Sequence, residues 1–234
     1  MASTDMEVTK ARLCVEAAFK LEMAVAKPKA GRYAVSGAKG NLGWANPRVF
    51  FDFAVGDGSP GTESEQRAIG RVVFELFRSE APRTVENFRC LCTGEKGVDA
   101  GCDRPLHYKR SYVHRIIPEF LVQMGDITRG TGAGGWSIYG ETFPLENLHH
   151  KHKHTGPGIL GMAHAGPGTD SQNSQFYVCT CPAPHLDGVH TVFGKVVSGY
   201  DVVKRLQELP ISGDAEPLEP VVIADCGQLE EGIV

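Results

Sequence analysis

The sequence predicts a mainly β domain, an antiparallel barrel or sandwich with two helices, behind a helical N-terminal extension. Three observations predict it. From Pro47 onward apolar residues recur with period two in about eight short segments. Glycine is generous, 28 of 234 residues, which favours turns and short strands over a helical bundle. The segments follow one another across Gly/Pro-rich turns, mostly without a helix between them, which argues against a parallel α/β sheet.

The elements follow in order. Residues 4–26 read as one amphipathic helix: Thr4 and Glu7 have capping-box spacing, and Leu13, Ala17, Leu21 and Ala24 recur at helical intervals. Pro28 ends it, and residues 27–45, rich in Lys, Gly and Ala, read as a linker. This places a boundary near 45, with one domain over 46–234. A loosely docked tail, a partner-binding helix and an address tag are the readings open for the extension. Residues 49–55 form a mostly apolar strand, 56–66 a polar loop, and 70–77 an alternating strand that pairs with the first. Pro82 opens a helix to about Cys92, with Val85, Phe88 and Leu91 facing inward. Further strand segments are 112–117, 120–125, 158–163, 175–180, 191–197 and 220–226. A second helix spans about 199–209, with Val202, Val203, Leu206 and Leu209 apolar.

Composition narrows the function. At 41% hydrophobic and 22% charged, the chain is expected to pack a core. Residues 1–45 carry seven Lys/Arg against four Asp/Glu, and residues 46–234 carry 17 against 24. An acidic domain with no Lys/Arg cluster is a poor nucleic-acid binder. No run of 18 apolar residues predicts a membrane span. The first 30 residues lack a signal peptide's apolar stretch, and seven cysteines is an odd number. Reduced thiols in a cytosol-like compartment are expected, with mitochondrion and nucleus left open.

Several motifs carry little. Residues 130–135 satisfy G-x-G-x-x-G, but Trp136-Ser-Ile-Tyr-Gly-Glu141 is no helix, so no pyrophosphate site follows. His149, His150, His152 and His154 read as a solvated loop, because Gly156-Pro157-Gly158 forbids the helix that metal spacing needs. Cys90/Cys92 and Cys179/Cys181 are C-x-C pairs with nothing to bring them together. No metal is expected.

The decisive stretch is Tyr112-Val-His114-Arg115-Ile-Ile-Pro118-Glu-Phe120-Leu121-Val-Gln123-Met-Gly125-Asp126. It closely resembles the cyclophilin signature. Glu86-Asn-Phe88, residues 92–97, 137–141, 154–160, Asn173-Ser-Gln175-Phe176, Leu186-Asp-Gly188, 190–195 and 223–229 are similar to family blocks in family order. The resemblance covers about 46–230. It implies a closed eight-stranded antiparallel barrel capped by two helices, and a peptidyl-prolyl cis/trans isomerase that assists folding of proline-containing clients. It implies a monomer without cofactor. Residues 1–45 are then a candidate docking segment for a partner.

The resemblance also implies roles. Arg115 donates a hydrogen bond to the prolyl nitrogen, Phe120 grips the proline, and Gln123 holds the substrate carbonyl and orients Arg115. Leu121, Tyr177 and Leu186 line the pocket with Phe120, and His190 stands on its rim. His114, Gly132, Ala163, His164, Ala165, Gln175 and His185 complete the groove, His164 acting through its backbone. This chain departs from the pattern at Leu121 for Met, Tyr177 for Phe, His164 for Asn and His185 for Trp. The Tyr177 hydroxyl needs a partner. Because the missing indole donates to cyclosporin in the family, weakened cyclosporin binding is expected. Residues 98–110 resemble the family's divergent loop, with Glu141 expected to anchor it. Cys92 and Cys226 match positions of a candidate redox pair.

Overall fold

A computed structural model describes residues 46–56, 66–146, 151–166 and 170–230. The helix expected over 4–26, its linker, and His149 and His150 lie outside the described residues.

Alternation decides which face of each strand turns inward. Strand β1 (Arg48–Val55) buries Val49, Phe51 and Phe53, while Asp52, between two of them, pairs with Arg71 at 2.7 Å. β1 lies between β2 (Arg67–Leu76) and β10 (Val221–Gln228), so Phe51 faces Val72 on one side and Cys226 on the other. The sheet continues through β9 (Val192–Ser198), β7 (Ile159–Met162), β8 (Phe176–Cys179) and β6 (Leu121–Met124) to β5 (Val113–Ile117). All eight strands pair antiparallel. The barrel closes between β5 and β10, through a bridge rather than a ladder. Arg110 N–H donates to the Ile223 carbonyl at 2.8 Å, and Ile223 N–H donates to Ser111 at 2.9 Å.

Rings fill the barrel. Phe51, Phe74, Phe88, Tyr108, Phe176 and Phe193 are fully buried, and Phe88 meets Phe176 edge-on at 4.8 Å. Phe88 arrives on α1 (Pro82–Thr93), whose Val85, Phe88 and Leu91 point inward as the spacing predicts. Ala81 cannot cap this helix. Glu146 does so from a distant loop, accepting from the N–H groups of Arg83 at 3.1 Å and Thr84 at 2.7 Å. Helix α2 (Tyr200–Gln207) buries Val202, Val203 and Leu206 against β2, with half-buried Leu209 just past its end.

Two elements exceed expectation. Residues 98–110 contain a two-residue ribbon, β3 (Val98–Asp99) paired with β4 (Arg104–Pro105). A 3-10 turn spans Pro184–Leu186. The loop's anchor is Tyr108, buried with its hydroxyl donating to the Ser174 carbonyl at 2.7 Å. Glu141 is exposed and accepts no hydrogen bond from this loop among the described residues, which corrects its expected role. Beyond the main core, Leu121, Ala163, Tyr177, Cys179, Ala183 and Leu186 form a second apolar cluster, joined by half-buried Ile117, Phe120 and Ile159.

Candidate active site

That second cluster sits on the outer face of the barrel. On β6, Val122 and Met124 belong to the inner core, so Leu121 and Gln123 face outward; on β8, Phe176 and Val178 turn in and Tyr177 and Cys179 turn out. Strand β5 would break this scheme, because Val113 is inward and Arg115, two residues on, would follow it. A bulge at His114 intervenes: Val113 pairs with Met124, but Arg115 pairs with Gln123. The extra residue turns Arg115 outward and returns Ile116 to the core. Register then aligns Arg115, Gln123, Tyr177 and Gly161 in one row across four strands. Gly161 has to lack a Cβ, since that atom would collide with the Tyr177 phenol.

Beside Arg115 and Gln123 lies the second apolar cluster. Phe120 leads into β6, its ring stacked on His185 with centroids 5.2 Å apart. Leu121, Ala163 and Leu186 are buried around it, as is His190, which shares a hydrogen bond with the Met162 carbonyl through Nδ1 at 3.1 Å. Ala163 N–H donates to the Gln175 carbonyl at 3.0 Å, and Ala165, exposed, donates to Ser171 Oγ at 2.9 Å. His164 is buried through its side chain as well as its backbone position. Its Nε2 is 2.9 Å from the Val189 carbonyl, its Nδ1 accepts from Gly166 N–H at 3.0 Å, and its ring stacks on His190 at 4.1 Å.

The Tyr177 hydroxyl has found its partner. It lies 2.8 Å from His154 Nε2, and His154 Nδ1 lies 2.8 Å from Asp187. His154, expected in a solvated loop, is therefore buried beneath the pocket. The flanking lysines read as solvated, whereas Asp187, Tyr177 and Ala183 hold His154 from distant segments.

Burial favours the neutral form of four imidazoles here. It pushes His114 down to about 4 and His190 down to about 3. It lowers His164 and His185 as well. At neutral pH the cation in the row is Arg115.

The other anticipated residues fall elsewhere. Gly132, at φ +86°, packs over His114, where a Cβ would come within 2.7 Å of the ring. Cys92 and Cys226 are buried in the barrel core. Burial raises the Cys92 thiol well above its usual value and lifts Cys226 to about 12. Cys92 and Cys179 belong to separate clusters, so the C-x-C pairs do not meet. Glu86, Cys90 and Glu95 converge within 4.8 Å, yet Arg89 bridges both carboxylates at 2.8 and 2.7 Å and holds the place a metal cation would take.

An eight-stranded antiparallel barrel with two helices, carrying an outward arginine beside an apolar cluster, is the cyclophilin architecture. The family model for "Cyclophilin type peptidyl-prolyl cis-trans isomerase/CLD" matches residues 62–228. A Rhizopus delemar protein named "Peptidyl-prolyl cis-trans isomerase cyp11" is 52% identical over 184 residues, which is 79% of this chain and 51% of that relative. The chain belongs to this family, and it spans about half the length of that curated relative. The family match begins at 62, yet β1 pairs on both sides, so the barrel extends back to Arg48.

Proposed function

We propose that the protein accelerates cis/trans rotation about X–Pro peptide bonds of client chains. The observation that carries this is the bulge-turned Arg115 beside the apolar cluster that Phe120 joins. Rotation is resisted by about 18–20 kcal/mol because the nitrogen lone pair is shared with the carbonyl. In the twisted state the lone pair returns to the prolyl nitrogen. A fixed guanidinium donating to that nitrogen stabilises the twisted state over either planar one. Arginine suits the role because it stays charged at any working pH. Phe120, Leu121, Ala163, Tyr177 and Leu186 receive the proline ring. The test is the isomerisation rate of wild type and Arg115→Ala by a protease-coupled or NMR exchange assay. Loss of at least tenfold, about 1.4 kcal/mol, supports the reading. A wild type that binds proline peptides without accelerating them makes the groove a recognition module instead.

Cyclosporin binds this groove weakly in the same reading, because His185 stands where an indole donor is the family pattern. A dissociation constant equal to that of a Trp-bearing relative would overturn this point. The protein acts as a monomer in a cytosol-like compartment, with residues 1–45 docking a partner; deletion and pull-down test the docking. A redox switch through Cys92 and Cys226 completes the reading, and a thiol count unchanged by mild peroxide removes it.

A further inference from the structure

Asp126 ends the signature stretch and lies outside the outward row of Arg115, Gln123, Tyr177 and Gly161. It is 1% exposed, and six donors converge on its carboxylate. Oδ1 accepts from the N–H groups of Thr128 at 3.1 Å and Arg129 at 2.9 Å, and from the Thr128 hydroxyl at 3.0 Å. Oδ2 accepts from the N–H groups of Thr131 at 3.2 Å, Gly132 at 2.9 Å and Gly134 at 3.0 Å. The Thr128 hydroxyl in turn accepts from Gly135 N–H at 2.8 Å. A buried carboxylate without a cation is stable only with such a set of donors. The loop 128–135 is therefore wrapped around one charge.

This wrapping fixes two carbonyls. Gly132 and Gly134 both accept from Gln175 Nε2, each at 2.7 Å. Both protons of that amide are then used, so its Oε1 is the acceptor left over. Gln123 Nε2 donates to it at 3.0 Å. Gln123 is thus held with Nε2 toward Gln175 and Oε1 as its remaining acceptor, directly across the ladder from Arg115. The amide polarity runs in one direction from loop to arginine.

We infer that Asp126 is a positioning residue for isomerisation: by holding the glycine loop it orients Gln175, which sets the Gln123 amide with its oxygen available to Arg115 or to a substrate N–H. The inference rests on the proposed function for its kinetic consequence, while its structural part can be read without activity. The second Nε2 proton of Gln123 stays available to a substrate carbonyl, and its Oε1 is an added acceptor.

The test compares wild type, Asp126→Asn, Gln175→Ala and the double variant. Asp126→Asn is expected to lower kcat/KM at least tenfold. In the Gln175→Ala background the same change is expected to cost less than twofold, because its path is already cut. Independent, multiplying losses would overturn the inference. The side-chain NH2 resonances of Gln123 and Gln175 give a second readout that needs no turnover. They are expected to shift in Asp126→Asn, and unchanged resonances would also overturn the inference. If Asp126→Asn does not fold, Thr128→Val removes two bonds of the same wrapping. It is expected to shift the same two amides and to lose a smaller factor, again absent in the Gln175→Ala background. A wild type without isomerase activity would sink the proposed function and leave the amide shifts to decide the role of Asp126.

Discussion

The Tyr177 hydroxyl lies against His154, whose other nitrogen meets Asp187. The ring packs in the outer apolar cluster, and the hydroxyl is held by the buried His154. Tyr177→Phe is expected to destabilise the fold by about 1 kcal/mol in denaturant unfolding. The pocket keeps its shape, so kcat/KM stays close to wild type; a large kinetic loss at unchanged stability would contradict this division of labour. The buried histidines give a second residue-scale prediction. His114 and His190 titrate at about 4 and about 3 in the folded state, against 6.5 ordinarily. The unfolded chain thus binds protons first. Stability is complete above about pH 6.5 and falls as pH drops toward 4, with a limiting slope of roughly 1.4 kcal/mol per pH unit for each ring. Urea midpoints between pH 7.5 and 4.5 check this; a flat profile would mean the rings are not held neutral.

Helix α1 shows how an element is completed from outside itself. Its sequence supplies Pro82 at the start and Gly94 at the end, the latter at φ +69° with its N–H on the Cys90 carbonyl at 2.9 Å. It supplies no N-terminal side-chain cap. Glu146 is the cap, and Thr191 in turn holds the Glu146 backbone through bonds of 3.2 and 2.9 Å. Glu146→Ala is expected to cost about 1 kcal/mol, seen as a lower melting temperature with isomerisation per folded molecule unchanged. Strand β5 carries the other lesson at this scale. Its apolar residues Val113, Ile116 and Ile117 are legible as a strand segment, yet the residue that turns Arg115 outward is the bulged His114, and no pattern of apolar residues marks a bulge.

For the whole molecule, the barrel is built from residues after Asn46, and its outer row Arg115, Gln123, Tyr177 and Gly161 is assembled entirely within it. A chain shortened to begin at Asn46 is expected to isomerise prolyl peptides at the wild-type rate. A substantial loss would show that residues 1–45 contribute to the groove.

Strand segments, both barrel helices and their inward stripes were legible because period two and period 3.6 are local properties of the chain. The pocket residues were legible only by resemblance, since Phe120 or Tyr177 taken alone reads as ordinary core. The tasks of Asp126, Glu146, His154 and Asp187 were not legible, because they are set by hydrogen bonds that reach as far as 63 residues along the chain. Local pattern and composition establish a mainly β domain with two helices, an acidic charge and the signature that names its family. Only the folded chain shows that the barrel closes through a bridge, that β5 bulges to expose Arg115, and which way the Gln123 amide points. These outcomes depend on strand register and on hydrogen bonds between distant residues, and neither is encoded in the spacing of neighbours along the chain.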